Sequence, residues 1–393
     1  MKKIERLLDQ YEQGTMDYSK SKLKNIDNNK QIILFGAGGL GKNLYKVLKE
    51  SDIEVVCFMD TVQCADHDSE KRVTIDKYEV SIVHPENNLL KEYFNTSYVI
   101  LSALFSLKDQ SRIKNELSSI GFKNIFSLTE INFSNNELFY KLFNVSYKAN
   151  NSIEVNRDRI LEAYALLEDE KDKNLYVQHI RAHLIKDFSE NEEPDDLSLQ
   201  YLAHDIPINL DYSSFIDCGG YDGDTIRNLL LNGKVINNLA VFEPQIDLYN
   251  KITEYVTKNE KQFNAVSIYP CGVHSSTDKF RFTISESVPA SSGIDVEGKD
   301  IIQCVAIDHA LHGFNPTFIK MDIEGAEIEA LKGARNTIIR SRPQLAICVY
   351  HSLSHIWEIP LLIKSYYEGY RFYLRNYNFM GLETVLYAVP VVE

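Results

Sequence analysis

The chain has 393 residues and a formal net charge of −14 at neutral pH, with 44% hydrophobic and 25% charged residues. This length is sufficient for two or three domains that each bury their own core. The negative charge argues against a nucleic-acid partner and against docking on an anionic membrane, because both need clustered Lys and Arg. The sequence contains no apolar run that could span a bilayer and no apolar signal-peptide core at its start. Its six scattered cysteines indicate reduced, buried residues, so we expect a cytoplasmic protein.

Residues 1–130 are predicted to form a Rossmann-like, nucleotide-binding-type domain. The strand QIILF leads into the glycine run GAGGLG and a helix, and the next strand ends on Asp60. Glycines between a strand and a helix, followed by an acid about 20 residues later, are typical of a dinucleotide-binding unit. They indicate a nucleotide site at Gly36, Gly38, Gly41 and Asp60. A second interpretation stays open, in which the glycines only allow the strand and helix to pack closely.

Residues 131–210 are predicted to be a helical connector, with Ile160 and Leu167 on one apolar helix face. Such helices either cover the substrate side of the following sheet or make a homodimer contact, and the sequence leaves both open. His179 and His183 lie one helical turn apart, but no third ligand is near them in the sequence. We therefore predict no metal ion.

Residues 211–393 are predicted to form a doubly wound α/β sheet closed by an antiparallel hairpin. Three of its strands end on acids: Asp217 precedes a glycine turn, Glu243 ends the second strand, and Asp322 begins DIEGAE. The carboxyl ends of parallel strands meet at one edge of a sheet, and an acid on the second strand lies where a ribose diol binds. The pattern thus predicts one pocket for a nucleoside-type ligand.

The motifs FIDCGGYDGDT, VFEP and IKMDIEGAE, in this order, resemble the FkbM-type family of S-adenosylmethionine-dependent methyltransferases. The resemblance runs from about Arg159 to the C-terminus, and KMDIEGAE is its most specific part. It implies a class I methyltransferase sheet with S-adenosylmethionine as the cofactor. The N-terminal unit is similar to Rossmann-like modules attached to bacterial sugar-modifying enzymes, which favours a sugar as the acceptor.

The resemblance also implies roles for individual residues. Asp217 and the Gly219–Gly220 backbone would hold the ammonium of the cofactor, Glu243 the ribose hydroxyls, and the Cys271–Val273 segment the adenine. The full set of expected cofactor residues is Asp217, Gly219, Gly220, Tyr221, Asp224, Thr225, Glu243, Pro244, Cys271, Gly272, Val273 and Asp322.

A sugar hydroxyl is a poor nucleophile while protonated, so a nearby base assists an in-line methyl transfer. The candidates for this work are Asp322, Glu324 and His351, although His351 and Glu327 also fit purely structural roles at a strand end and a helix start. The prediction is an O-methyltransferase acting on a sugar hydroxyl in glycan or glycosylated-metabolite biosynthesis. Its partner would be a sugar or glycan acceptor, free or nucleotide-linked.

Two other functions remain in view. An NAD(P)-dependent oxidoreductase would be centred on GAGGLG, but no Tyr-x-x-x-Lys or comparable hydride-transfer pattern lies beside it. A non-catalytic, nucleotide-binding assembly protein would use the sheet only for binding. The intact acids Asp217, Glu243 and Asp322 count against that second alternative.

Overall fold

The computed structural model describes residues 1–16, 23, 26, 30–104, 106–131, 141–142, 153–185, 187–283, 293–294 and 298–391. Within these ranges the chain forms three β-sheets with helices packed against them, and parallel pairing dominates the two larger sheets. The predicted α/β class is therefore confirmed. No helix among the described residues is long and apolar enough to cross a membrane.

The first large sheet has six strands. The elements of this region are α1 Lys2–Glu12, β1 Ile32–Phe35, α2 Gly39–Glu50, β2 Val55–Met59, β3 Glu70–Ile75, β4 Tyr78–Val83, β5 Tyr98–Leu101, α3 Leu107–Ile120 and β6 Ile125–Ser127. The strand order is β3-β4-β2-β1-β5-β6, with only β3 antiparallel to its neighbour. The hairpin β3–β4 is not predicted from the sequence, because the edge strand β3 is largely exposed and its apolar alternation is limited to Val73 and Ile75.

The connector contains two described helices, α4 Ile153–Leu166 and α5 Glu170–Ile185. Ile160 and Leu167 are both buried in the core that lies against the second large sheet, in agreement with the predicted apolar face. The earlier part of the predicted helical segment, residues 132–140 and 143–152, lies outside the described residues.

The second large sheet has seven strands. The elements of this region are β7 Ser214–Cys218, α6 Asp224–Leu231, β8 Asn238–Phe242, α7 Ile246–Lys258, β9 Ala265–Tyr269, β10 Gly272–Val273, β11 Asp278–Thr283, β12 Gly293–Ile294, β13 Asp300–Val305, α8 Ile307–Ala310, β14 Phe318–Met321, α9 Glu327–Gly333, α10 Arg335–Ser341, β15 Gln344–Cys348, α11 His355–Tyr366, β16 Tyr370–Asn376 and β17 Thr384–Pro390. The order is β16-β17-β15-β14-β7-β8-β9. The strands from β15 to β9 are parallel, and β16 and β17 form the predicted antiparallel hairpin.

Two strands of this region, β11 and β13, lie outside the seven-stranded sheet. They belong to a separate four-stranded sheet with the order β10-β13-β11-β12. Both strands are mostly exposed, whereas the central strands β7 and β14 are buried along their whole length. A parallel central strand must be apolar on both faces, which β11 and β13 are not.

The connector is fixed to the second large sheet by a buried cation. Arg375 on β16 is 1% exposed. Its guanidinium pairs with Asp172 of α5 and with Asp205, whose Oδ2 lies 2.8 Å from Nε. Asp172 also accepts the backbone N–H of Leu374 at 2.8 Å. These acids raise the pKa of Arg375 above its ordinary value despite burial, which opposes the charge.

Candidate active site

A cavity of 530 Å³ lies at the carboxyl ends of β7, β8 and β14. This is the edge at which doubly wound sheets bind ligands, and the volume is within the roughly 300–1,000 Å³ usual for small-molecule sites. The predicted site residues on its wall are Gly219, Tyr221, Asp224, Thr225, Glu243, Pro244, Gly272, Val273, Asp322 and Glu324. The predicted residues that do not line it are Asp217, Gly220, Cys271 and His351.

The glycine turn after β7 brings two strand ends into contact. A Cβ at Gly219 would lie 2.0 Å from the carbonyl oxygen of Asp322, and the φ of Gly219 is +82°. Tyr221, with φ +48°, adopts the left-handed conformation without being glycine. Such strained residues persist where the surrounding structure over-determines them, which is common at ligand sites. The turn thus presents its backbone to the cavity beside Asp322.

Glu243 is fixed by the backbone of that turn. Its carboxylate accepts the N–H of Tyr221 at 3.0 Å and the N–H of Gln245 at 2.8 Å. The side chain is buried, and burial raises the pKa of Glu243 to about 7 although these backbone bonds oppose the shift. Each carboxylate oxygen accepts more than one hydrogen bond, so Glu243 retains capacity for hydroxyl donors in the cavity.

Asp217 lies behind the cavity wall and faces a lysine. It is the register partner of Lys320 across β7 and β14, and its Oδ1 is 3.2 Å from Nζ. Lys320 also donates to the carbonyl oxygen of Gly219 at 2.5 Å. Burial opposes the charge, but Asp217 and Asp322 raise the pKa of Lys320 above its ordinary value. The binding of the cofactor ammonium by Asp217 stays a prediction, and the residue that reaches the cavity is Lys320.

The sequence offers one signal for Lys320. It stands inside FIKM, a four-residue strand that is otherwise apolar and that is buried throughout. Lysine is almost never fully buried unless it is paired. A lysine in a predicted central strand therefore indicates a buried partner, but the sequence does not identify Asp217 as that partner.

Asp322 is oriented by two tyrosines. Its carboxylate accepts the hydroxyl of Tyr201 at 3.1 Å and that of Tyr350 at 3.2 Å. The Tyr350 hydroxyl also lies 3.4 Å from Oε1 of Glu383, which accepts the side-chain amide of Gln200 at 2.8 Å through Oε2. All of these side chains line the cavity. None of these four partners is predicted as a site residue from the sequence, because they come from the connector, the end of β15 and the turn before β17.

His351 lies directly behind Asp322 and Glu324. Its Nε2 is 3.6 Å from Oδ1 of Asp322 and 3.6 Å from Oε2 of Glu324, while Nδ1 is 2.9 Å from Oε1 of Glu327. Burial lowers the pKa of His351, but Glu327 and Glu324 outweigh burial and raise the pKa to about 10. The imidazole is therefore protonated at neutral pH. The structure brings the three predicted catalytic residues together, with His351 as a cation between acids.

Glu327 is the anchor of this arrangement. Its Oε1 accepts the N–H groups of Ile323 and Gly325 at 3.0 and 3.3 Å, and its Oε2 lies 3.3 Å from Nδ1 of His355. Burial opposes its charge, but His351 and His355 hold the pKa of Glu327 well below its usual range. Glu327 is thus an ionised group that shapes the start of α9 and fixes His351.

Glu324 occupies a strained position at the edge of the cavity. Its φ is +56°, and the next residue, Gly325, has φ +95°. Burial raises the pKa of Glu324 to about 8, although the nearby cation of His351 opposes the shift. At neutral pH the carboxyl group of Glu324 is therefore mostly protonated.

The predicted N-terminal nucleotide site has tight backbone packing. A Cβ at Gly41 would lie 2.1 Å from the carbonyl oxygen of Gly36, whereas a Cβ at Gly38 would meet no atom within 4 Å. The carboxylate of Asp60 accepts the N–H of Ala37 at 2.9 Å and two N–H groups of its own loop, those of Val62 and Gln63. Asp60 therefore holds the glycine turn closed against the end of β2, and a nucleotide at this turn stays a prediction.

Within the described residues, one group has the composition of a metal site: His67, His84 and Glu86. The two imidazole rings are stacked, with centroids 3.9 Å apart and planes 8° apart. A metal ion lies in the plane of each imidazole that binds it, and nearly parallel planes do not converge on one ion. Both rings would have to rotate before they could share a metal.

A largely parallel sheet with acids at the ends of strands β8 and β14, on either side of the glycine turn of β7, has the architecture of class I methyltransferases. The family comparison agrees with this assignment. Residues 217–380 match the model described as the methyltransferase FkbM domain. The chain thus carries an FkbM-type methyltransferase domain, and the resemblance seen in the sequence is confirmed for this stretch.

Solved structures give a consistent fold. The chain is similar to a crystal structure of methyltransferase FkbM from Methylobacillus flagellatus KT, with 18% identity and a TM-score of 0.66 over 98% of this chain and 99% of that chain. At this identity the likeness concerns the fold. A CurJ carbon methyltransferase aligns with 8% identity and a TM-score of 0.26, over 100% of this chain and 92% of that chain, which is too distant to inform either fold or function. No curated protein matches the chain.

Proposed function

We propose that this protein transfers the methyl group of S-adenosylmethionine to a hydroxyl oxygen of a sugar. The observation that carries the proposal is the convergence of Glu243 and Asp322 on one cavity, from the ends of the two strands that flank β7. The FkbM-type domain supports methyl transfer as the reaction. The carboxylates, the tyrosines and the amide around Asp322 support an acceptor that is rich in hydroxyl groups.

The residues present fit the cofactor. S-adenosylmethionine supplies, when bound, an electrophilic methyl carbon on a sulfonium. Glu243 would accept the ribose hydroxyls, and Phe242 and Val273 offer apolar surface for the adenine. The ammonium group of Lys320 has three N–H donors, of which Asp217 and the carbonyl oxygen of Gly219 engage two. The third would pair with the carboxylate of the amino-acid tail. The missing side chain at Gly219 keeps the turn open to the cavity.

Asp322 is proposed as the base that receives the proton of the acceptor hydroxyl. It lines the cavity, and the hydroxyls of Tyr201 and Tyr350 hold its carboxylate in one orientation. His351 keeps its proton and lies close enough to stabilise the negative charge of Asp322. Most of the catalysis then comes from alignment of the acceptor oxygen with the methyl carbon.

Binding of the cofactor is tested by isothermal titration with S-adenosylmethionine. We expect the Glu243→Gln variant to bind roughly 10- to 100-fold more weakly, since a hydrogen bond to a charged group contributes about 1.5–3 kcal/mol. Glu254→Gln, on the exposed face of α7, serves as the control and should leave the affinity unchanged. Absence of binding to the unmodified protein at millimolar cofactor would refute the proposal.

A further inference from the structure

The cavity has a second wall, which shares only Asp322 with the expected cofactor residues. It consists of Gln200, Tyr201, Asp322, Tyr350 and Glu383, which we call the acceptor wall. Gln200, Tyr201 and Glu383 lie outside residues 217–380, the stretch that matches the family domain. The connector and the turn before β17 therefore supply three of the five residues of this wall, and the matched stretch supplies Asp322 and Tyr350.

The acceptor wall is acidic. Asp322 and Glu383 face the cavity beside Glu324, whose carboxyl group is mostly protonated at neutral pH. Burial raises the pKa of Glu383 to about 7, so the negative charge of the wall is largest at mildly alkaline pH, where the acceptors are compared. Among the described residues that line the cavity, Lys320 is the only Lys or Arg. Its Nζ already contacts Oδ1 of Asp217 and donates to the carbonyl oxygen of Gly219, on the cofactor side. An anionic group at the acceptor wall would meet carboxylates and find no cation of the lining to pair with.

The groups of this wall are held in place before any acceptor arrives. Gln200 donates to Glu383 at 2.8 Å, and the Tyr350 hydroxyl lies between Glu383 and Asp322, at 3.4 and 3.2 Å. Tyr201 and Glu383 have φ values of +64° and +55°, a conformation that the surrounding structure must impose. Fixed carboxylate oxygens are good acceptors for several hydroxyl donors at once. The wall is thus preorganised for a ligand that donates hydrogen bonds.

We propose that the acceptor is a hydroxyl-rich sugar unit without negative charge, and that the acceptor wall excludes sugar phosphates, uronic acids and nucleotide-linked sugars. The inference rests on the proposed methyl transfer. In that step the sugar oxygen forms a bond to the methyl carbon, and the carbon–sulfur bond breaks with its electron pair left on sulfur. The hydroxyl proton goes to Asp322.

The test uses the full chain and matched acceptor pairs. Methyl glycosides of glucose, galactose, mannose and fucose are compared with the corresponding sugar phosphates, uronic acids and nucleotide-linked sugars. Binding to the protein loaded with S-adenosylhomocysteine is followed by saturation-transfer NMR, and turnover by transfer of labelled methyl groups. We expect at least one neutral sugar to bind and to be methylated, with kcat/KM roughly 100-fold or more above that of its anionic counterpart, because like charges across an interface are strongly disfavoured.

The variant Glu383→Gln tests whether the acceptor wall causes the preference for a neutral acceptor. Glu383→Gln keeps the shape of the side chain and removes its charge, while its one amide oxygen can accept from either Gln200 or Tyr350. The variant should reduce the preference for the neutral acceptor about tenfold. Glu368→Gln, at an exposed position before β16, should leave the preference unchanged. An equal preference in Glu383→Gln and the unmodified protein would overturn the role of the wall.

The outcomes separate the two proposals. If S-adenosylmethionine binds but an anionic acceptor is methylated as well as or better than its neutral counterpart, the acceptor inference is wrong while the methyltransferase proposal stands. If no neutral sugar of the panel binds the loaded protein, the acceptor inference is also overturned. Failure of S-adenosylmethionine itself to bind overturns both.

Discussion

A buried histidine that stays protonated well above neutral pH is the most direct consequence of the site's electrostatics. The carboxylates around His351 raise its pKa to about 10, against an ordinary value near 6.5. A shift of this size corresponds to roughly 5 kcal/mol of preference for the charged form. Because the pKa is raised on folding, this stabilisation is fully present below pH 6.5 and is lost as the pH rises through 10.

The perturbation is Glu327→Gln, which keeps the shape of the side chain and removes the charge that lies 2.9 Å from Nδ1 of His351. In NMR spectra of protein with ¹³C-labelled histidine, the His351 signal is identified by its loss in His351→Gln. We expect this signal to show the protonated form up to pH 9 in the unmodified protein, and to titrate at a clearly lower pH in Glu327→Gln. Glu329→Gln, which alters a partly exposed acid paired with Lys332 on the same helix, is the matched control.

Urea unfolding supplies a second readout. Between pH 6.5 and pH 9 the stability advantage of the unmodified protein over His351→Gln should fall by about 3 kcal/mol, since each pH unit within the shifted range changes the difference by about 1.4 kcal/mol. Parallel stability curves for the two proteins, or a His351 signal that titrates near pH 6.5, would show that the acids do not hold the proton.

Three further changes follow from the structure. Asp322→Asn should lower kcat by about 10²- to 10⁴-fold in a labelled-methyl assay and leave the affinity for S-adenosylhomocysteine nearly unchanged. Glu324→Gln, which resembles a protonated Glu324, should lower kcat by less than about tenfold. A larger loss of kcat in Glu324→Gln than in Asp322→Asn would make Glu324 the base. Arg375→Ala should destabilise the protein by about 3–5 kcal/mol in chemical denaturation, because it leaves buried acids without their cation, and a loss below about 1 kcal/mol would contradict this. Gly219→Ala should abolish cofactor binding in calorimetry, because its Cβ would lie 2.0 Å from a carbonyl oxygen, while Gly233→Ala, with φ +70° and no atom within 4 Å, should bind normally.

Sequence patterns predict those site residues whose positions depend only on neighbouring residues in the chain. Glu243 and Asp322 are predicted at the cavity because each follows an apolar strand, and parallel strands end at the same edge of a sheet. Asp217 follows the same rule but lies behind the wall. Its environment depends on the register that places Lys320 directly across from it, and register is set by packing of the whole sheet.

The acceptor wall depends on contacts between distant parts of the chain. Tyr201 is separated by 121 residues from Asp322, to which it donates a hydrogen bond. Glu383 reaches the cavity from a turn whose backbone is left-handed at a residue other than glycine, which no turn rule predicts. The separate sheet of β10 to β13 is also not predictable from local sequence. Its strands are buried on one face only, and which face is buried is known only after the main sheet has formed.

The placement of Gln200 and Tyr201 in a connector that Arg375 clamps to the sheet has an evolutionary consequence. Gln200 and Tyr201 lie in a stretch of the sequence separate from Gly219 and Glu243, so substitutions in the connector can alter one side of the cavity without changing those residues. Evolution of the connector can therefore reshape one side of the cavity while the stretch that matches the family domain is unchanged. Chimeras that exchange residues 187–210 between related proteins would test whether the two sides of the cavity can change independently.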